Sequence, residues 1–157
     1  MGKNPNLKFE VDKKIIEMNY GDWSGEKLSK LSKDKRWRKI QTNPSTFTFP
    51  NGESFKSMRK RVDITLNDLV GKKGPILVVT HGDIIKMMIT SCLDPPIDRF
   101  QSFVAEPASL TVINLEKSKS TILQSNYKLA ESGVSKFKTN QIGGGDTLAS
   151  LRQWWWK

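Results

Sequence analysis

The chain has 157 residues, with 26 lysines and arginines against 16 aspartates and glutamates, one histidine and one cysteine. That length suits a single domain with its own core, and a hydrophobic share of 36% with strong apolar runs mid-chain excludes a disordered polypeptide. No run approaches the ~18 apolar residues of a membrane span, residues 1–14 contain no apolar signal-peptide region, and the lone Cys92 excludes an internal disulfide. A cytoplasmic location is therefore expected. The net charge of +10 favours phosphorylated or polyanionic partners. The lysines, however, are spread along the chain as a solvated surface would have them, and no arginine-rich arm, zinc pattern or RNP-type aromatic strand predicts specific nucleic-acid binding.

Residues 8–16, KFEVDKKII, have strand character from β-branched residues and partial alternation. Glu17 to Gly25 is rich in turn formers, and Ser24 is placed to cap a surface helix over about 26–40. Residues 42–53 are an irregular connection marked by Pro44 and Pro50-Asn51-Gly52. Phe55, Met58, Val62, Leu66 and Leu69 recur at three and four residues, which predicts a helix over 54–70 stopped by Gly71. Residues 75–80 form an unalternating apolar run of strand length, the pattern of a strand covered on both faces in a parallel sheet. A helix over 84–93 follows, with Ile84, Ile85, Met88, Ile89 and Cys92 inward, and Asp94-Pro95-Pro96 ends it. Residues 108–115 and 120–127 read as an antiparallel edge pair. The predicted domain spans 1–130. Residues 131–157, with Gly143-Gly144-Gly145 and the ending Trp154-Trp155-Trp156-Lys157, read as a flexible tail or as a docking segment.

The alternation of helix and strand predicts an α/β fold. His81 lies where the 75–80 strand meets the next helix, the place at which open parallel sheets bind ligands. Gly82 leaves the approach to His81 clear, and free helix N–H groups there attract anions. A histidine in that position can donate to a phosphate oxygen or simply cap the helix.

Four short motifs in order, Glu17-Met18-Asn19-Tyr20-Gly21-Asp22-Trp23-Ser24-Gly25, Pro50-Asn51-Gly52-Glu53-Ser54, Arg59 with Arg61, and Val78-Val79-Thr80-His81-Gly82, resemble the histidine phosphatase superfamily, also called phosphoglycerate-mutase-like. The resemblance covers about residues 9–115. It implies a three-layer sandwich around a mostly parallel sheet. It also implies a phosphatase or phosphomutase, hence a hydrolase or an isomerase, that acts on a small phosphorylated metabolite through phosphohistidine, with no metal or other cofactor. Glu17 matches the acid that protonates the leaving oxygen. His81 matches the second histidine, which binds the phosphoryl group. Gly82, Glu53, Ser54, Arg59 and Arg61 fall where members place substrate- or phosphate-binding residues.

The family's Arg-His-Gly, whose histidine is the nucleophile, has no counterpart in this sequence. The first strand, first helix and second strand of the family are expected to be missing, which would leave the 75–80 strand with an exposed edge. A fragment or misassigned start, a degenerate phospholigand binder, and a sheet completed by another copy or another chain each account for this. The chain as written is predicted inactive. A non-catalytic phospholigand-binding scaffold and a basic polyanion binder are the alternatives.

Overall fold

The computed structural model describes residues 9–117 and 119–128. The tail expected over 131–157 lies outside the described residues. Residues 8–16 were expected as a strand, but the described part is extended only at its start and then forms a 3₁₀ turn at Lys13–Ile15. The Asp12 carboxylate caps that turn through the Lys14 N–H at 2.8 Å. Side chains, rather than a neighbouring strand, take up the carbonyls that follow.

The single helix expected over 26–40 is two short ones, α1 (Leu28–Leu31) and α2 (Trp37–Thr42). Asp34 divides them. Its carboxylate accepts the Arg36 N–H at 2.8 Å and also pairs with the Arg36 guanidinium, an Asx-type turn that competes with helix. Ser24 does not cap this region; Lys27 is the N-cap of α1 and makes no side-chain capping bond. α2 is also less superficial than expected, since Ile40 is buried and Trp37 stacks on Trp23.

α3 (Phe55–Leu69) follows the predicted stripe, with Phe55, Met58, Val62 and Leu66 buried. Ser54 caps it by accepting the Ser57 N–H at 3.0 Å. Gly71 follows with φ +80°, a left-handed stop that suits glycine. α4 (Gly82–Leu93) packs against α3 through Ile84, Met87 and Met88. The core continues through Phe47, Phe49, Phe55 and Phe100 in edge-on and tilted ring contacts. Cys92 is half-buried, and burial pushes its thiol up despite a hydrogen bond with Ser120.

β1 (Ser109–Asn114) and β2 (Thr121–Lys128) pair antiparallel as expected. They form the one sheet among the described residues, so the mostly parallel sheet is not seen there. Residues 75–80 have no regular secondary structure and no ladder partner in that set. Val78 packs on the core, but Ile76, Leu77 and Val79 are 46%, 76% and 61% exposed. The segment therefore has the apolar composition of an interior strand, with backbone groups that no strand among the described residues pairs and an exposed outer face.

Candidate active site

α4 begins directly after the 75–80 segment, so its N-cap, His81, stands at the segment's carboxyl end. The His81 side chain makes no capping bond and is half exposed. Its Nδ1 lies 3.9 Å from Glu17 Oε2. Gly82 opens the helix, and Asp83 lies in its first turn. The Asp83 carboxylate accepts from the Tyr20 hydroxyl at 2.8 Å and from Lys86 Nζ at 3.3 Å. Lys86 is 1% exposed; it donates to Gln101 Oε1 at 2.9 Å and lies 4.1 Å from the centre of the Phe100 ring. Tyr20, Asp83 and Lys86 escaped the sequence reading. The signal was present in the i,i+3 spacing of Asp83 and Lys86 on a helix whose surrounding residues are apolar.

Burial pushes the Glu17 carboxyl above the ordinary glutamate range; the Met18 N–H opposes this, the Asp83 carboxylate reinforces it, and His81 and Arg61 oppose it. A carboxyl so raised holds its proton to a higher pH than a free glutamate does. The fold thus favours protonated Glu17, and this stabilising contribution is lost as pH rises from the ordinary value through the raised one. Glu17→Gln is therefore expected to melt higher than the parent chain at pH 7 and to match it at pH 3.5. Thermal melts at the two pH values measure this, and an equal gap at both would contradict it.

The loop carrying Glu17 is zipped to the 49–53 loop. Asp22 N–H donates to the Pro50 carbonyl and Glu53 N–H to the Asn19 carbonyl, both at 2.9 Å. A Cβ at Gly21, where φ is +54°, would strike the Pro50 carbonyl, and one at Gly52 would strike the Asn19 carbonyl.

The remaining expected site residues divide. Glu53 sits beside the Glu17 loop, where Oε1 accepts the Asn19 N–H at 2.9 Å. Ser54 serves as the α3 cap. Arg59 is not brought to the site: it pairs with Asp94 at 2.5 Å and with Asp63. Asp94 follows the far end of α4, about 18 Å of helix from His81. Arg61 does reach the Glu17 loop, but its guanidinium is fully engaged there. Nε and Nη2 hold Glu53 at 3.0 and 2.6 Å, Nη1 donates to the Lys14 and Ile16 carbonyls at 2.6 and 2.8 Å, and Nη2 reaches the Glu17 carbonyl at 3.4 Å. All five guanidinium N–H donors are thereby used. An oxyanion at His81 would meet a helix N-terminus, an imidazole and two carboxyl groups, while Arg59 and Arg61 are held by Asp94 and Glu53 and Lys86 is paired with Asp83 itself.

The description of the histidine phosphatase superfamily, branch 1, matches residues 1–128. The chain belongs to this family. Phosphoserine phosphatase 1 of Hydrogenobacter thermophilus is 30% identical over 128 residues, a stretch covering 77% of this chain and 59% of that protein. The chain thus spans little more than half the length of this curated relative. Among solved structures, the α-ribazole phosphatase of Shigella flexneri superposes with a TM-score of 0.65 at 20% identity, covering 82% of this chain and 67% of that one. A mycobacterial glucosyl-3-phosphoglycerate phosphatase with inorganic phosphate gives 0.67 at 21%, covering 78% and 66%. These relatives are phosphatases, and the structures share this chain's α/β fold. No helix among the described residues is long and apolar enough to cross a membrane.

Proposed function

We propose that this chain carries the acid and phosphoryl-binding half of a phosphatase site for a small phosphomonoester. The observation that carries the reading is the meeting of the Glu17 carboxyl and the His81 imidazole at the N-terminus of α4. In the forward step the P–O bond to the leaving group breaks, and the departing oxygen takes the Glu17 proton. His81 and the first N–H groups of α4 face the phosphoryl oxygens and offset their charge. A nucleophilic nitrogen on the opposite side receives phosphorus. Water then attacks the phosphohistidine, and the Glu17 carboxylate takes the water's proton. Water is proposed as acceptor, rather than a second substrate position as in a mutase, because the relatives above are phosphatases.

Two requirements are unmet among the described residues. The sequence holds one histidine, which is on the binding side. The nearby cations are already paired, whereas a phosphate dianion next to Glu17 and Asp83 needs free ones. Both requirements point to a segment laid along residues 75–80. A parallel strand there would end beside His81, cover backbone that no described strand pairs and exposed apolar side chains, and deliver a cation and a nucleophile to the site.

Hydrolysis of p-nitrophenyl phosphate tests this. The 157-residue chain alone is expected to show no turnover above buffer. Addition of a segment built as an apolar strand ending in Arg-His-Gly, with its following helix and second strand, is expected to produce turnover. Hydrolysis by the 157 residues alone that vanishes in His81→Ala would overturn the two-part site. Tight phosphate binding without turnover in the completed protein would favour a phospholigand-binding role.

A further inference from the structure

The stretch that presents Glu17 has an unusual means of support. Among the described residues, 14–17 belong to no ladder, and each of their four carbonyls accepts from a side chain. Arg61 takes the Lys14, Ile16 and Glu17 carbonyls. The Thr80 hydroxyl takes the Ile15 carbonyl at 2.6 Å. The bonds to the Lys14, Ile15 and Glu17 carbonyls are partly buried and that to the Ile16 carbonyl is exposed; together these donors favour one course for the stretch.

The two anchors come from the elements that frame the site. Arg61 is on α3 and is itself fixed by Glu53, a pair whose side chains are 19% and 16% exposed. Glu53 extends the hold by accepting the Asn19 N–H, just beyond Glu17. Thr80 immediately precedes His81, so its bond ties the Glu17 stretch to the backbone that carries the imidazole. The separation of acid and imidazole is thereby set from both sides.

We propose that Arg61, held by Glu53 and assisted by Thr80, is a positioning residue that keeps the Glu17 carboxyl in its half-buried place against His81. Arg61 is not proposed as a phosphate ligand, because no guanidinium N–H is left to offer. A lysine cannot replace it: one ammonium cannot span three carbonyls and a bidentate carboxylate. The inference rests on the reading of Glu17 as the acid, but its test does not depend on turnover.

The Glu17 carboxyl can be followed by carbon NMR through a pH titration of the 157-residue chain, together with amide exchange over residues 15–19. The charged groups facing Glu17 are His81 and Asp83 from α4 and Arg61 from α3. Arg61→Lys retains the positive charge, so a change in midpoint reports position. In that variant the Glu17 midpoint is expected to fall toward the ordinary value of about 4.3. Exchange over 15–19 is expected to quicken roughly tenfold or more, as loss of bonds to a charged donor implies. Thr80→Val, which keeps the volume and removes one bond, is expected to move both readings the same way by less. Arg59→Lys, on the same helix but bonded elsewhere, is expected to leave both unchanged. A folded Arg61→Lys protein with the parent midpoint and exchange would overturn the proposal. If Arg61→Lys does not fold, parent values in Thr80→Val would overturn it. A positive result combined with an inactive completed protein would sink the phosphatase reading and leave the clamp standing.

Discussion

In the strand-completed protein, Glu17→Gln is expected to lower kcat on an alkyl phosphate such as phosphoserine by about 10²–10⁴-fold, the range for a positioned general acid. The same variant is expected to hydrolyse p-nitrophenyl phosphate with a much smaller loss in the first step. An alkoxide cannot depart without a proton, whereas p-nitrophenolate is stable enough to leave unaided. The split between substrates distinguishes a proton donor from a residue that merely supports the loop, which would affect both alike. It also follows from the surroundings of Glu17: burial and the Asp83 carboxylate raise the carboxyl's affinity for a proton. Equal losses on both substrates would remove Glu17 from the acid role.

Phe100→Ala is expected to be the most damaging single truncation in the core, at about 3–5 kcal/mol. Phe100 is fully buried, packs edge-on to Phe55 at 5.2 Å between ring centres, and lies under the Lys86 ammonium. Its loss opens a cavity between α3 and α4 and strips the aromatic face from a buried cation. Because Lys86 also holds Asp83, the damage should spread to the site. Equilibrium urea unfolding measures the change, and Phe100→Leu, which refills most of the volume, is expected to recover much of it. A cost below about 1 kcal/mol would show that the aromatic core is not the support of α4 described here.

Local pattern carried much of the fold. The three-and-four spacing of Phe55, Met58, Val62 and Leu66 marked the buried face of α3. The β1–β2 pair was equally plain. Two of the failures share one physical cause, side chains competing for backbone groups. Asp34 turned an expected helix into two, and Arg61 with Thr80 took the carbonyls of an expected strand. Neither is visible as hydrophobic periodicity. At the site, the position of His81 could be read from strand, glycine and helix in series. Its approach to Glu17 could not, because the two lie far apart in the chain; that pairing came from the family resemblance. The resemblance also placed Arg59 and Arg61 near substrate, whereas the geometry turns one to the far end of α4 and gives the other to backbone carbonyls. Lys86 was hidden because charged residues are seldom buried unless paired, and its partners Asp83, Gln101 and Phe100 meet it only in the folded chain.

The single histidine supplies the most direct test of the two-part site. With the 157-residue chain isotopically labelled and the completing segment unlabelled, one imidazole resonance reports the phosphoryl side alone. Titration with orthovanadate is expected to shift that His81 signal saturably, with a midpoint equal to the vanadate concentration that halves turnover. Vanadate that inhibits turnover and leaves the His81 resonance unmoved would contradict the assignment.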